Sequence, residues 1–280
     1  MTLRNEKCYS ELARDLKEFS GGRKIVEIVN SGNWGDTLIR AGQAEFLADN
    51  GIEVDQISIF KLRKPETKKP ALKALRSQLR AFFSNDVAIF TGSGAFREYF
   101  NRSNELAIAA KKFSKVLIMP SSVPFSLSLD PTRTVVWRRD KLESMTGAPN
   151  AKFCHDLAFY LDPRPRASSK KMGVLFRTDV ETDGSSVPPG NLDLSQEGTH
   201  NSDPEEFLNR VGEYEIIYTN RLHVGIAGAL LGREVHIFPN RNQKIHSIYE
   251  CSLKPFYKNV HFHDEPPGTS EFLKAELRSA

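Results

Sequence analysis

The chain has 280 residues, enough for one or two domains, and 39% of them are hydrophobic, which suits a soluble protein with a sizeable core. Its net charge of +4 is too mild to indicate nucleic acid, though it allows anionic small molecules or a membrane surface. No apolar run approaches the roughly 20 residues that span a bilayer. The start MTLRNEKCYSELARDLKEF lacks a secretory apolar stretch, and Cys8, Cys154 and Cys251 show no C-x-x-C spacing; these features point to the cytoplasm, with no disulfide framework or thiolate zinc site.

In chain order, KIVEIVN (24–30) reads as a strand, SGNWGD (31–36) as a turn and TLIRAGQAEFLADNG (37–51) as a helix, capped by Asp36 or Thr37 and ended by Asn50-Gly51. VDQISIF (54–60) is the next strand. From Lys61 to Arg80 there are eight Lys and Arg against one Glu. Leu72, Leu75, Leu79 and Phe82 or Phe83 make 61–83 amphipathic. It is either a basic helix resting on an anionic membrane or an ordinary surface helix packed on the sheet. No aromatic interleaves the basic run, which argues against a stacking platform for single-stranded nucleic acid.

Strands follow at DVAIFTGSG (86–94), KVLIMPSS (115–122), TVVWRR (134–139) and KFCHDLAFYL (152–161). DPRPRASSKK (162–171) reads as a linker, and a second half opens with the strand MGVLFR (172–177). Residues 178–204 form a long polar surface loop, and loops of that length are usually functional or mobile. SDPEEFLNRVG is a helix capped by Ser202 or Asp203; YEIIYTN, EVHIFPN and NVHFH are strands; RLHVGIAGALLG and HSIYECSL are helices. Strands alternating with helical patterns predict an α/β protein of two Rossmann-like halves with mostly parallel sheets, spanning 1–165 and 166–280.

The stretch TNRLHVGIAGALLG (219–232) poses the sharpest chemical question. A helix start exposes unpaired N–H groups and the positive end of the dipole, so cations there are unfavourable unless an anion sits between them. With Asn220 as the N-cap, Arg221 and His223 flank the helix tip and cup an oxyanion. The plainer alternative is a packed helix with a surface arginine and a partly buried histidine. Gly225 and Gly228 each cost about 1 kcal/mol against alanine and suggest close approach of a backbone or ligand. Arg177, at a strand end facing an interdomain cleft, and Lys244 extend the candidate anion cluster; each alone reads as a solvated charge.

SGNWGD lies at the carboxyl edge of a parallel sheet, where ligands bind. Gly32 and Gly35 allow tight backbone and positive φ there. Asp36 either caps the helix or accepts hydrogen bonds from substrate hydroxyls. Asn33 shares that turn, and Ser93 in TGSGAF follows another strand and could bond a ligand; a plain turn is the alternative in both places. HFHD (261–264) puts His261 and His263 on one strand face, but no further cluster accompanies them, so no metal is expected.

Several of these stretches, in order across nearly the whole chain, resemble the polysaccharide pyruvyl transferases. They are NWGD (33–36), GSGAF (92–96), LIMPSS (117–122), WRRD (137–140), HDLAF (155–159), LFR (175–177), NRLHVGIAGALLG (220–232) and the later Lys244. The sequence departs from the family at TGSGAFREYF, where a Gly-rich turn is usually followed by Asn and Asp. The resemblance implies a two-domain fold similar to GT-B glycosyltransferases and transfer of pyruvate from phosphoenolpyruvate onto a sugar, usually as a cyclic ketal, with no cofactor or metal. It implies donor contacts from Arg177, Arg221, the N–H of Leu222 and Lys244, a proton from His223, and a saccharide acceptor, lipid-linked or free, on the side of Asn33, Asp36 and Ser93. A nucleotide-sugar glycosyltransferase on the same fold and a non-catalytic anion- or glycan-binding protein are the competing readings.

Overall fold

The structure is a computed structural model that describes residues 3–29, 31–58, 85–94, 96, 102–127, 129–179, 182 and 187–279. The basic segment 61–83 lies outside the described residues. The chain divides into two compact units, one of Asn5–Ser31 and Gln43–Leu157, the other of Met1–Arg4, Gly32–Gly42 and Ala158–Ala280.

The first unit is built on a six-stranded sheet in the order β2-β1-β3-β4-β5-β6. Its strands are β1 Ile25–Val29, β2 Val54–Ser58, β3 Val87–Phe90, β4 Lys115–Ser121, β5 Thr134–Arg138 and β6 Lys152–Phe153, all paired in parallel. The strand order reverses between β1 and β3, the topological switch point whose carboxyl edge hosts ligands in open parallel sheets. β1 and β3 are buried along their whole length, which explains why they are apolar on both faces except at Glu27. Val26, Ile28, Ala88, Phe90, Val116 and Ile118 form one core face with Leu106, Ala109 and Phe113, contributed by and just beyond helix α3 (Arg102–Lys112).

A carboxylate sits inside this sheet. Glu27, only 2% exposed, accepts from Gln43 Nε2 at 2.7 Å and Gln56 Nε2 at 2.8 Å. Buried carboxylates persist only when satisfied in this way.

Helix α1 (Lys7–Ser20) has no counterpart in the sequence reading, which saw only charges there. Its apolar stripe of Tyr9, Leu12, Ala13 and Leu16 is narrow but helical in spacing. Gly21, at φ +56°, ends it in the left-handed conformation. KFCHDLAFYL is also not one strand. Only Lys152–Phe153 pairs with β5, and Leu157–Tyr160 turns into a 3-10 helix.

The second unit holds a four-stranded parallel sheet in the order β10-β9-β8-β7. Its strands are β7 Lys170–Val174, β8 Tyr214–Thr219, β9 Glu234–Ile237 and β10 Val260–Phe262. The expected linker therefore ends in strand at Lys170, and MGVLFR is strand only to Val174. Helix α4 is the short Ser144–Gly147 of the first unit; α5 is Pro204–Gly212, α6 Leu222–Leu230, α7 Lys244–Ile248 and α8 Glu271–Ser279. Asp203 caps α5, accepting from the Glu205 N–H at 2.9 Å with Pro204 in the first turn.

Helix α6 is buried on almost every side, as an all-apolar helix must be. The glycine expectation is corrected here. A Cβ on Gly228 would lie 2.7 Å from Val235 Cγ2 and 3.0 Å from Ile217 Cδ1. The close neighbours are sheet side chains, with neither a backbone nor a ligand needed to explain them. His261 stacks on His236 and His263 lies tilted against it, with ring centroids 5.2 Å apart in each case, and His263 lies just past β10. Among the described residues no three His, Cys, Asp or Glu side chains gather to hold a metal, and no described helix is long and apolar enough to cross a membrane.

Candidate active site at the start of helix α6

The turn from β8 into α6 is set by Thr219. Its hydroxyl donates to the Leu175 carbonyl at 2.7 Å and accepts from the Arg221 N–H at 2.9 Å. Arg221 is thereby extended, at φ −94° and ψ 115°, and occupies the cap position itself. This corrects the assignment of Asn220 as N-cap. The Asn220 side chain instead accepts from the Arg177 N–H at 2.8 Å and ties the end of β7 to the end of β8. No side chain caps α6. Its first internal bond runs from the Gly225 N–H to the Arg221 carbonyl at 3.0 Å, so the N–H of Leu222 is outside the helix's own ladder.

The two arginines meet because of strand register. Val174 pairs with Tyr218, and each strand places an arginine at the same offset beyond that pair. Both side chains are buried, Arg177 at 6% and Arg221 at 3% exposure. Buried guanidiniums demand counter-charge, and two aspartates supply it. Asp193 receives Arg221 Nε at 2.9 Å and Nη2 at 2.6 Å, a bidentate fork. It also accepts from the Thr178 N–H at 2.7 Å and hydroxyl at 2.9 Å. Asp179 receives Arg177 Nε at 3.0 Å and Nη2 at 3.2 Å, and its Oδ2 lies 2.7 Å from Arg221 Nη1. That last contact is an ion pair without a hydrogen-bonding angle. The sequence reading named neither aspartate. The only signal was the length of the polar stretch 178–204 in which both lie.

His223 points from the first turn of α6 toward the NWGD turn. Its Nδ1 lies 3.7 Å from Asp36 Oδ1. Asp36 in turn accepts from the Asn33 N–H at 3.0 Å, while its own N–H donates to the Asn33 carbonyl at 3.1 Å. These two bonds close the turn that leads into α2 (Asp36–Asp49). Gly32 and Gly35 are not among the positive-φ glycines of the described chain. Gly35 is needed for closeness instead: a Cβ there would sit 2.9 Å from His223 Cβ.

Residues 191–203 are correspondingly no loose surface loop. Leu194 and Ser195 are buried. The Trp34 N–H donates to the Ser195 carbonyl at 3.1 Å, Trp34 Nε1 to the Asp203 carbonyl at 3.3 Å, and the Thr37 hydroxyl to the Ser202 carbonyl at 2.7 Å. The segment that carries Asp193 therefore also braces the turn that carries Asp36.

Arg177, Arg221, Leu222, His223, Asn33 and Asp36 thus share one unit, although the sequence reading put Asn33 and Asp36 in the opposite half from the arginines. Lys244 belongs to this unit as well; it is buried and opens α7. Ser93 belongs to the other unit, at the carboxyl end of β3, where its N–H donates to Ser121 Oγ at 3.1 Å.

In that other unit the WRRD and HDLAF motifs form a buried brace. Arg139 and Asp156 make an ion pair, both almost wholly buried, and Arg139 Nε also donates to Ser122 Oγ at 3.0 Å. Asp140 accepts from the Ser144 N–H at 2.8 Å and hydroxyl at 2.6 Å. Beside this brace, burial and then Lys141 pull the His155 imidazole down to about 4.

The model of the family described as polysaccharide pyruvyl transferase matches residues 33–242, which takes in the turn, the brace and the arginine pair. Among solved structures, an uncharacterized protein from Klebsiella pneumoniae subsp. pneumoniae NTUH-K2044 superposes with a TM-score of 0.69 at 24% identity, over 92% of this chain and 99% of that one, a likeness of fold. No curated protein gives a significant match. With three quarters of its length matched by that family model, the chain belongs to the polysaccharide pyruvyl transferase family.

Proposed function

We propose that the chain transfers the pyruvyl group of phosphoenolpyruvate to a sugar of a polysaccharide precursor, as a cyclic ketal, with release of phosphate. One observation carries this reading: two buried arginines and an uncapped helix start converge where an imidazole and a carboxylate also meet. Phosphoenolpyruvate bears a carboxylate and a phosphate, and guanidinium forks and a helix N-terminus recognise both. Lys244 and the Leu222 N–H complete the donor set.

In the reaction, His223 gives a proton to the donor methylene, which becomes methyl. The central carbon becomes electrophilic, and one sugar hydroxyl adds to it and loses its proton. The carbon–oxygen bond to phosphate then breaks, with the electron pair leaving on phosphate. A second hydroxyl adds, loses its proton and closes the ketal. Asp36 serves as the partner of His223 and as an acceptor for hydroxyl protons, and Ser93 and Asn33 contribute to the acceptor side. No step calls for a metal. General acid catalysis and charge stabilisation on the leaving phosphate are the two terms the protein must supply. The basic segment 61–83 would bring the enzyme to a lipid-linked acceptor at the cytoplasmic membrane face.

The test is phosphate release from phosphoenolpyruvate with free and lipid-linked saccharides. Release that depends on acceptor is expected. Turnover of a nucleotide sugar with indifference to phosphoenolpyruvate would instead identify a glycosyltransferase, and donor binding without release would identify a binding protein.

A further inference from the structure

The two aspartates on the arginine pair are not equivalent. Asp193 is 7% exposed and is held through four contacts, from Arg221 Nε and Nη2 and from the Thr178 N–H and hydroxyl. Asp179 is 23% exposed and bridges the guanidiniums of Arg177 and Arg221 with its two oxygens. The bridge uses the donor pattern that a ligand carboxylate or phosphate would use. It also leaves the charge balanced: two arginines, two aspartates. A multiply charged anion entering such a neutralised pair meets a filled socket.

We infer that Asp179 is an internal stand-in for the bound oxyanion, displaced from Arg177 and Arg221 when the anion arrives, and that Asp193 is a positioning residue that stays. This deepens the reading of the site as a phosphoenolpyruvate site and rests on it for the identity of the anion. Asp193 holds the Nε–Nη2 edge of Arg221, which directs the Nη1 side at the socket. Asp179 sets a threshold on affinity, because the binding-competent form is only the fraction of molecules in which its carboxylate has left. If that fraction is about one tenth, apparent affinity is about tenfold weaker than intrinsic affinity. The carboxylate keeps the arginines paired in the empty site and makes occupancy conditional on an anion that can engage both guanidiniums at once.

The experiment is calorimetric titration of wild type, Asp179→Ala and Asp193→Asn with phosphoenolpyruvate and, separately, with inorganic phosphate, with melting curves to verify folding. Asp179→Ala is expected to tighten both anions about fivefold or more, a gain that loss of a merely structural contact does not produce. Asp193→Asn is expected to weaken both, and to abolish the sharp Arg221 Nε–H resonance in nitrogen-15-labelled protein. Should Asp193→Asn fail to fold, Asp193→Glu replaces it, with intermediate affinity expected. Unchanged or weaker anion binding by folded Asp179→Ala overturns the inference. Tighter phosphate with no phosphoenolpyruvate binding in any variant overturns the donor assignment and leaves the inference standing.

Discussion

His223 Nδ1 and Asp36 Oδ1 stand 3.7 Å apart, one at the first turn of α6 and the other at the first residue of α2. A carboxylate at that distance orients the ring proposed to deliver the proton. His223→Ala should cut phosphate release by about 100-fold or more, the scale of a lost general acid, with phosphoenolpyruvate affinity changed much less. Asp36→Asn should also slow turnover and leave donor binding nearly intact. Near-normal turnover in His223→Ala, measured with a competent acceptor, would move the acid role to another group.

Gly35 makes that pairing possible. Gly35→Ala places a methyl 2.9 Å from His223 Cβ and 3.2 Å from Nδ1. The clash should cost about 1–3 kcal/mol of stability, as overpacking does, and should depress turnover by displacing the imidazole. Urea unfolding and phosphate release on one preparation would check both; full activity would show that the turn yields freely.

Arg221 should matter to stability as well as to the proposed anion binding. Arg221→Met leaves Asp193 buried without its counter-charge, a change that typically costs about 3–5 kcal/mol. Removing both, in Arg221→Met with Asp193→Leu, should restore much of the stability and none of the anion affinity. Arg221→Lys should restore affinity only in part, because an ammonium lacks the planar fork. Equal stability of the single and double variants would show that the pair is uncoupled.

Stability should fall in acid partly through His155. Its folded-state value of about 4 lies below the ordinary 6.5, so the unfolded chain binds the proton more readily. The contribution is whole above pH 6.5 and drains away as pH falls toward 4, amounting to about 3 kcal/mol. His155→Phe, which suits the ring contact with Phe153 at 4.9 Å, should flatten the stability curve in that window. An unchanged wild-type slope in the variant would assign the acid loss to other groups.

The basic segment 61–83 should bind vesicles containing anionic lipid at low ionic strength and release them as salt rises. Sedimentation of the full chain against one with its lysines and arginines between Lys61 and Arg80 changed to glutamine is the measurement. Equal sedimentation of the two would reduce the segment to a surface helix.

The local frame of this chain is legible in its short-range patterns. Apolar runs such as IVEIV and VAIF could only be buried strands, and the alternation of strand and helix patterns specified parallel pairing. LHVGIAGAL could only be a buried helix, and the arginine and histidine at its head asked for an anion. What lies within one helical turn or one strand is written in short-range spacing. Helix α1 escaped notice because a stripe of four apolar residues is faint among so many charges.

Which groups face each other depends on how the strands and loops come together. Arg177 meets Arg221 through the register of β7 on β8. Asp179 and Asp193 neutralise them from a polar stretch with no periodicity to mark it. Asp36 reaches His223 because residues 191–203 pin the NWGD turn. Each of these arrangements brings together groups distant in sequence, Arg177 with Arg221, Asp193 with Arg221 and Asp36 with His223, through strand register and loop docking. Local propensity carries no record of such pairings, whereas the cost of burying an unpaired charge enforces them once the chain has folded.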